Sequence, residues 1–205
     1  MFIRRVVVPA IFVALIALSS AVFASTEDAA KFVQRLGNQT IETLRAPDLT
    51  FDERQDRFRG LLTRGFDISF IGRFVLGRYW RAATSDQRGD YMALYSEFFL
   101  TTYAYRLGGY AGQTFVVTGA RAANAKDVVV RSLIDRTGGP PLIADWRVRK
   151  IDGRYRVIDI MVEGISLAFT QRSEFASVAR RGGLEGLLAS LRSRTTKFSA
   201  VASLK

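Results

Sequence analysis

The chain contains neither cysteine nor histidine. Without cysteine there are no disulfides, and no lipid can be attached through a cysteine behind a leader segment. Without either residue, Ser-His-acid and Cys-His nucleophile systems and nearly every zinc arrangement are excluded. The acidic residues lack the spacing of a calcium loop, and Gly108, Gly109 and Gly112 do not form a phosphate-binding fingerprint behind a strand. Asp159 and Glu163 are a possible acid and base pair. Four residues apart on one strand, however, they stand about 13 Å from each other, too far to flank a single bond. The residues therefore predict a protein that is not an enzyme, with no cofactor and no metal. Internal repeats, low-complexity stretches and long linkers are also lacking, which predicts a single domain.

Negative charge is scarce: 19 Asp and Glu stand against 30 Lys and Arg, a net charge of +11. The basic residues are scattered singly or in pairs such as Arg180 and Arg181, with no dense tract. Such a surface attracts nucleic acid, anionic lipid headgroups or an acidic protein patch, and charge alone does not choose among them.

Residues Met1 to Ala24 show three zones: Arg4 and Arg5, an apolar run from Val6 to Leu18, and a small-residue end with Val22 and Ala24 placed for a cut before Ser25. The apolar run has 13 residues, whereas a membrane-spanning helix needs roughly 20. A cleaved secretory signal over 1–24 is the expectation. Extending the run to Phe23 reaches marginal length for an uncleaved anchor. Export argues against a nucleic-acid partner and places the mature protein outside the cytoplasm.

The front half predicts helices. Thr26 to Leu44 forms the first, with Thr26 as cap, Phe32, Leu36 and Gln39 along one face, and Val33, Thr40 and Leu44 beside it. A second starts near Thr50 or Asp52 and runs to Arg64, gathering Phe58, Leu61 and Leu62, with Gly65 as a left-handed stop. Asp67 caps a third that carries Ile71, Phe74, Val75 and Tyr79. Between Ser85, read as the next cap, and Leu107, the residues Tyr91, Leu94, Tyr95, Phe98, Phe99, Thr102 and Tyr103 form a broad aromatic stripe. The stripe either fills a core or lines a cavity too large for side chains to close.

The back half predicts a meander of about four antiparallel strands: Thr114 to Thr118, Ala125 to Asp135, Leu142 to Ile151 and Arg154 to Val162. Asp152 and Gly153 give a tight hairpin between the last two. Trp146 and Val148 take one face of their strand, and Arg147 and Arg149 the other. In the last strand, strict alternation puts Tyr155, Val157, Asp159 and Met161 on one side and Ile158, Ile160 and Val162 on the other, so both sides need cover from helices or an apolar ligand. Asp159 then requires a basic partner or helix-end amides. Gly164 ends the strand. A helix follows, and Gly182 with Gly183 separates it from a final amphipathic helix containing Leu184, Leu187, Leu188 and Leu191. Residues 196–205 read as an exposed basic tail behind a domain of 25–195.

Two runs carry a resemblance. One is Phe74-Val75-Leu76-Gly77-Arg78-Tyr79-Trp80, followed by Ala83-Thr84, Gln87-Arg88 and the aromatic helix ending Tyr105-Arg106-Leu107. The other is Gly153-Arg154-Tyr155-Arg156-Val157-Ile158-Asp159, continuing through Val162-Glu163-Gly164-Ile165-Ser166-Leu167. In this order and separation they resemble the MlaC-type periplasmic phospholipid-binding (toluene tolerance) family, and within it the hopanoid-biosynthesis-associated HpnM branch. Tyr155 departs from the pattern, standing where many relatives have tryptophan.

The resemblance implies an α+β fold: several helices packed on a curved, roughly four-stranded antiparallel sheet enclosing an apolar pocket for acyl chains. It implies a carrier in the periplasm, moving phospholipid or a hopanoid or other isoprenoid lipid between envelope membranes. Its partners would be a membrane-bound, ABC-transporter-associated lipid transport complex and, transiently, the membrane itself. The other reading is an exported adaptor or assembly protein without cargo of its own. Pocket candidates are Phe74, Tyr79, Tyr91, Tyr95, Phe98, Phe99, Tyr103, Val130, Trp146, Val148, Val157 and Met161. Arg78, Arg106, Asp159 and Glu163 are candidates for a headgroup site or a structural ion pair.

Overall fold

The computed structural model describes the backbone of residues 11–106, 112–136 and 138–202, and the side chains of 25–104, 112–135 and 138–196. The proposed signal before residue 11, the side chains up to residue 24, and Leu107, Gly108 and Gly109 lie outside the described residues. Helix α1 (Ile11–Arg45) is followed by α2 (Phe51–Gly65), α3 (Ile68–Leu76), the short α4 (Arg78–Ala82) and α5 (Ser85–Arg106). Strands β1 (Phe115–Ala122), β2 (Asp127–Arg136), β3 (Gly139–Ile151), β4 (Arg154–Val162) and β5 (Ile165–Ser166) come next, and α6 (Leu167–Ala202) closes the chain.

Local chemistry sets the helix boundaries. Thr50 caps α2: its hydroxyl accepts from the Glu53 N–H while the Glu53 carboxylate accepts from the Thr50 N–H at 2.9 Å. This reciprocal pair satisfies two amides that the helix cannot satisfy itself. Thr50→Ala is expected to cost about 1 kcal/mol in a denaturant titration; an unchanged midpoint would deny the cap its role. The same arrangement starts α5, but with Thr84 and Gln87 as partners, so Ser85 is the first helical residue and not the cap. Gly65 does not stop α2 by a left-handed turn. It stays within the helix and is glycine for space, because a Cβ there would come within 2.9 Å of the Leu36 side chain. Asp67 caps α3, accepting from the Phe70 N–H at 2.8 Å. The helix expected to continue to Tyr79 breaks at Gly77, whose φ of 60° few other residues adopt. A second break, at Gly183, divides α6 as the paired glycines predict.

The sheet corrects the expected fold. It has five strands, not roughly four, in the order β1-β2-β3-β4-β5, with every neighbouring pair antiparallel. It is open, with β1 and β5 as edges, and is not closed or curled around a pocket. The added strand β5 exists because Glu163 and Gly164, both at positive φ, turn the chain back so that Ile165 pairs with Val162. β3 also begins earlier than expected, at Gly139, with its two prolines at the strand start where a missing N–H is tolerated. The Asp152-Gly153 hairpin forms with φ of 47° and 75°.

A bulge revises the faces of β4. Arg147 pairs with Asp159 but Val148 pairs with Val157, so Ile158 is the extra residue. Directly paired residues share a face. Tyr155, Val157, Ile160 and Val162 therefore stand with Trp146 and Val148, while Asp159 and Met161 stand with Arg147. The arginine face carries two ion-pair groups. Arg131 forks onto Asp145 with two bonds of 2.7 Å, and Arg147 and Arg149 both hold Asp127.

Helices cover the other face in two patches. Ala29 and Val33 of α1, fully buried, pack on Val128, Val130 and Val148. Gln34 of the same helix accepts from the Val117 N–H and donates to the Phe115 carbonyl, which occupies hydrogen-bonding groups of the edge strand β1. The larger core lies among α2, α3, α5, α6 and β4. Its centre is aromatic: Tyr91 stacks on Tyr95 at 5.6 Å, and Tyr95 meets Phe175 edge-on at 6.1 Å.

Candidate functional site

Between the two packed patches the helices stand off from the sheet, leaving an apolar cavity of about 380 Å³. Leu36, Thr40 and Leu44 of α1, one helical turn apart, form one wall together with Ile41. Phe58, Leu61 and Leu62 of α2 and Phe66 just beyond it form a second, and Tyr103 closes the α5 end. The floor is sheet. Phe115, Ile134 and Leu142 are register partners across β1, β2 and β3, and Trp146 is the partner of Ile160 across β3 and β4.

The polar atoms of this lining are turned to use within the fold. The Trp146 indole N–H donates to the buried Ser132 hydroxyl at 2.8 Å, leaving its ring faces as apolar surface, and Phe115 meets it edge-on at 5.7 Å. The Thr40 hydroxyl donates back to the Leu36 carbonyl at 2.9 Å. Gly37 admits the Phe115 ring, which occupies the place a Cβ would take. Among the described residues no charged side chain lines the cavity. A ligand group placed there gains by burying hydrocarbon, whereas an ionised group would find no partner.

Two other cavities are chemically different. One of about 640 Å³ at the α2–α3 junction is larger but lined by Asp67, Asp152, Arg154, Arg156 and two serines, so it suits water and ions. Arg156 there donates to the carbonyls of Thr63 and Arg64 at the end of α2. The third, about 470 Å³, lies beside Ser25, where the Tyr155 hydroxyl donates to the Ser25 carbonyl at 3.0 Å. Among the described residues no group of three or more His, Cys, Asp or Glu is placed to hold a metal, and no helix is long and apolar enough to cross a membrane.

Of the residues singled out as pocket candidates, the structure brings Tyr103 and Trp146 to this cavity. Tyr91, Tyr95, Phe98, Phe99 and Val157 belong to the packed helical core. Burial pushes the phenols of Tyr91 and Tyr95 up, and their hydroxyls donate to the Gly72 carbonyl and the Gln171 side chain. Val130 and Val148 lie sealed under α1, and Met161 is half-buried in β4. Phe74 and Tyr79 sit near the surface, each with a guanidinium over its ring, from Arg172 at 5.0 Å and Arg78 at 5.1 Å.

The polar candidates separate as well. Asp159 accepts from the Ser166 hydroxyl at 2.7 Å and the Ala168 N–H at 3.2 Å, at the start of α6. Glu163 accepts from the Ile143 N–H at 2.8 Å. Arg78 is exposed and donates to the Tyr79 hydroxyl. The Arg106 side chain lies outside the described residues.

Sequence reasoning did not pick out the α1 and α2 wall as lining, although its apolar faces were visible. The row Phe115, Ile134, Leu142 carried no signal at all, since it exists only through strand register.

Comparison with known proteins adds three findings. The family model described as MlaC protein matches residues 34–193. The intermembrane phospholipid transport system binding protein MlaC of Haemophilus influenzae is 21% identical over 126 residues, 60% of this chain and 59% of that protein. The chain thus matches about three-fifths of the length of that curated relative. A solved structure of a phospholipid-binding protein from Ralstonia solanacearum, in complex with a phospholipid, superposes with a TM-score of 0.73 at 28% identity, covering 83% of this chain and 98% of that one.

Proposed function

The chain belongs to the MlaC protein family, and we propose that it is a periplasmic lipid carrier whose apolar cavity takes the hydrocarbon part of a phospholipid-type cargo. The observation that carries this reading is the apolar cavity of about 380 Å³ between α1, α2 and the sheet. Its size and apolar lining with few polar groups fit a small-ligand site. The likeness to a structure that holds a phospholipid supports the same cargo class.

The energetics suit exchange. Burying about 15 methylenes yields about 12 kcal/mol gross, at about 0.8 kcal/mol each. Leaving a bilayer, ordering the tail and losing free motion offset that gain, so transfer between membrane and protein is nearly neutral. No step in this requires a nucleophile, a general base or a metal.

The finer reading is that the chain is of the HpnM type, carries a hopanoid or other isoprenoid lipid beside phospholipid, and hands its cargo to a membrane-bound, ABC-transporter-associated complex that maintains outer-membrane lipid asymmetry. The Leu76-to-Trp80 and Val162-to-Ser166 runs support it. In the same reading residues 1–24 are a signal removed on export, 25–195 form the lipid-binding domain and 196–205 a basic tail. Arg106, one turn beyond Tyr103 on α5, is the arginine whose helix position follows the cavity and takes the headgroup role.

Purification from the native envelope without detergent, then organic extraction and mass spectrometry, tests the cargo. About one lipid per chain is expected, and its headgroup separates phospholipid from hopanoid. Protein that is folded yet consistently empty would overturn the carrier and leave an adaptor.

A further inference from the structure

The Phe74-to-Trp80 run stands out in the sequence, yet none of it lines the apolar cavity. It forms the end of α3 and most of α4, and its neighbour in space is the start of α6. Three side chains there are large, apolar and exposed: Ile165 at 63%, Phe169 at 62% and Phe74 at 36%. Scattered exposed hydrophobics are ordinary on a protein surface. These are not scattered. Ile165, in β5, and Phe169, in the first turn of α6, flank the start of that helix; Phe169 and Arg172 are three residues apart on one helix face, and the Arg172 guanidinium covers the Phe74 ring at 5.0 Å.

Charge within the stretches that build this face has one sign, the exposed Glu163 just before Ile165 being engaged with the Ile143 N–H. Residues 68–82, which make up α3 and α4, contain Arg73, Arg78 and Arg81 and no acidic residue; residues 165–173 contain Arg172 and none either. Arg73, Arg78 and Arg81 are exposed. Arg172 lies on Phe74 and Arg78 on Tyr79; a guanidinium stacked in this way presents its N–H edge outward, and beyond the one N–H that Arg78 gives to the Tyr79 hydroxyl the others can meet phosphate oxygens.

We propose that the face built by α3, α4 and the start of α6 docks the protein on an anionic phospholipid bilayer, with Ile165 and Phe169 entering the headgroup layer and the arginines holding lipid phosphates. Exposed apolar side chains rimmed by arginine match that surface on both counts, apolar depth and negative charge. The excess of arginine, with no carboxylate within residues 68–82 or 165–173, suits an array of like phosphates, whereas recognition of one protein partner usually pairs both signs across the interface. The docking face is separate from the cavity, so this inference does not depend on what the cavity carries.

The test is co-sedimentation of the full chain, in the form its own cell makes, with vesicles of phosphatidylcholine alone or mixed equally with phosphatidylglycerol. Binding is expected to the mixed vesicles and to weaken with salt. Arg73→Gln and Arg172→Gln each lower the partition coefficient about fivefold. Phe169→Ser lowers it about tenfold at every salt concentration, because its contribution is apolar. None of the three alters co-purifying lipid or the melting temperature. The proposal is overturned if the variants bind like the unaltered chain. It is equally overturned if protein-free anionic vesicles bind nothing while envelope proteoliposomes do, since the partner is then an acidic protein. An unaltered chain that binds anionic vesicles but never contains lipid would sink the carrier reading and leave this surface standing.

Discussion

In a Thr40→Trp variant, co-purifying lipid is expected to fall about fiftyfold while the protein stays folded. Thr40 sits on the α1 wall of the apolar cavity, and its hydroxyl is spent on the Leu36 carbonyl within the same helix. Threonine and tryptophan differ little in helix propensity, so α1 tolerates the exchange. The indole takes the space of about three methylenes of cargo, about 2.4 kcal/mol at 0.8 each, which corresponds to that fold-change. Thermal unfolding separates this from simple damage. Filling a void leaves the melting temperature unchanged or raises it, whereas strain lowers it. A variant that melts like the unaltered chain and carries the same lipid would show that the cargo lies elsewhere. Phe98 is the wrong residue for such a test, because it is packed against Tyr95 and Phe175 in the helical core and a charge there unfolds the chain.

Asp127→Asn is expected to destabilise the fold by about 3 kcal/mol, the range for removing one partner of a buried ionic cluster. The Asp127 side chain is fully buried and accepts from Arg147, Arg149 and Asn124, with distances of 2.6 to 3.2 Å. Replacing the carboxylate leaves two guanidinium groups without their shared anion. The same cluster predicts a pH dependence. Burial raises the Asp127 pKa, but the hydrogen bonds from Arg149, Asn124 and Arg147 and the charge of Arg147 together outweigh it and hold the group at about 2. A carboxyl whose folded pKa lies below its unfolded value contributes stability that is complete above the unfolded value, near 4, and is lost as pH falls toward 2. Melts at neutral pH and at pH steps below 4 should show the difference between unaltered chain and Asp127→Asn shrinking as the acid range is entered. A difference that stays constant down to pH 2 would remove Asp127 as its source.

Much of the secondary structure was readable because it depends on neighbours in the chain. Capping chemistry at Thr50 and Asp67, left-handed turns at Asp152-Gly153, and the glycine break in α6 act within a few residues. The errors also have local causes. Thr84 outcompeted Ser85 as cap because Gln87 lies three residues beyond it and completes the reciprocal pair. Ile158 became a bulge, and one extra residue was enough to move Asp159 and Met161 to the arginine face. The pocket candidates went astray for a different reason. A wide aromatic stripe such as Tyr91, Tyr95, Phe98 and Phe99 is equally suited to line a cavity or to fill a core, and Phe175, Leu187 and Leu188 arrive from α6 to fill it.

Periodicity, caps and the two motif runs were enough by themselves to point to helices before strands, an α+β class and the family. Those properties rest on residue identity and on spacing along the chain. The number of strands, the open sheet, the location of the cavity under α1 and α2, and the arginine-rimmed apolar face were decided by tertiary structure. Each depends on which distant segments meet and where they fail to touch, and a void or a shared surface has no residue of its own to announce it.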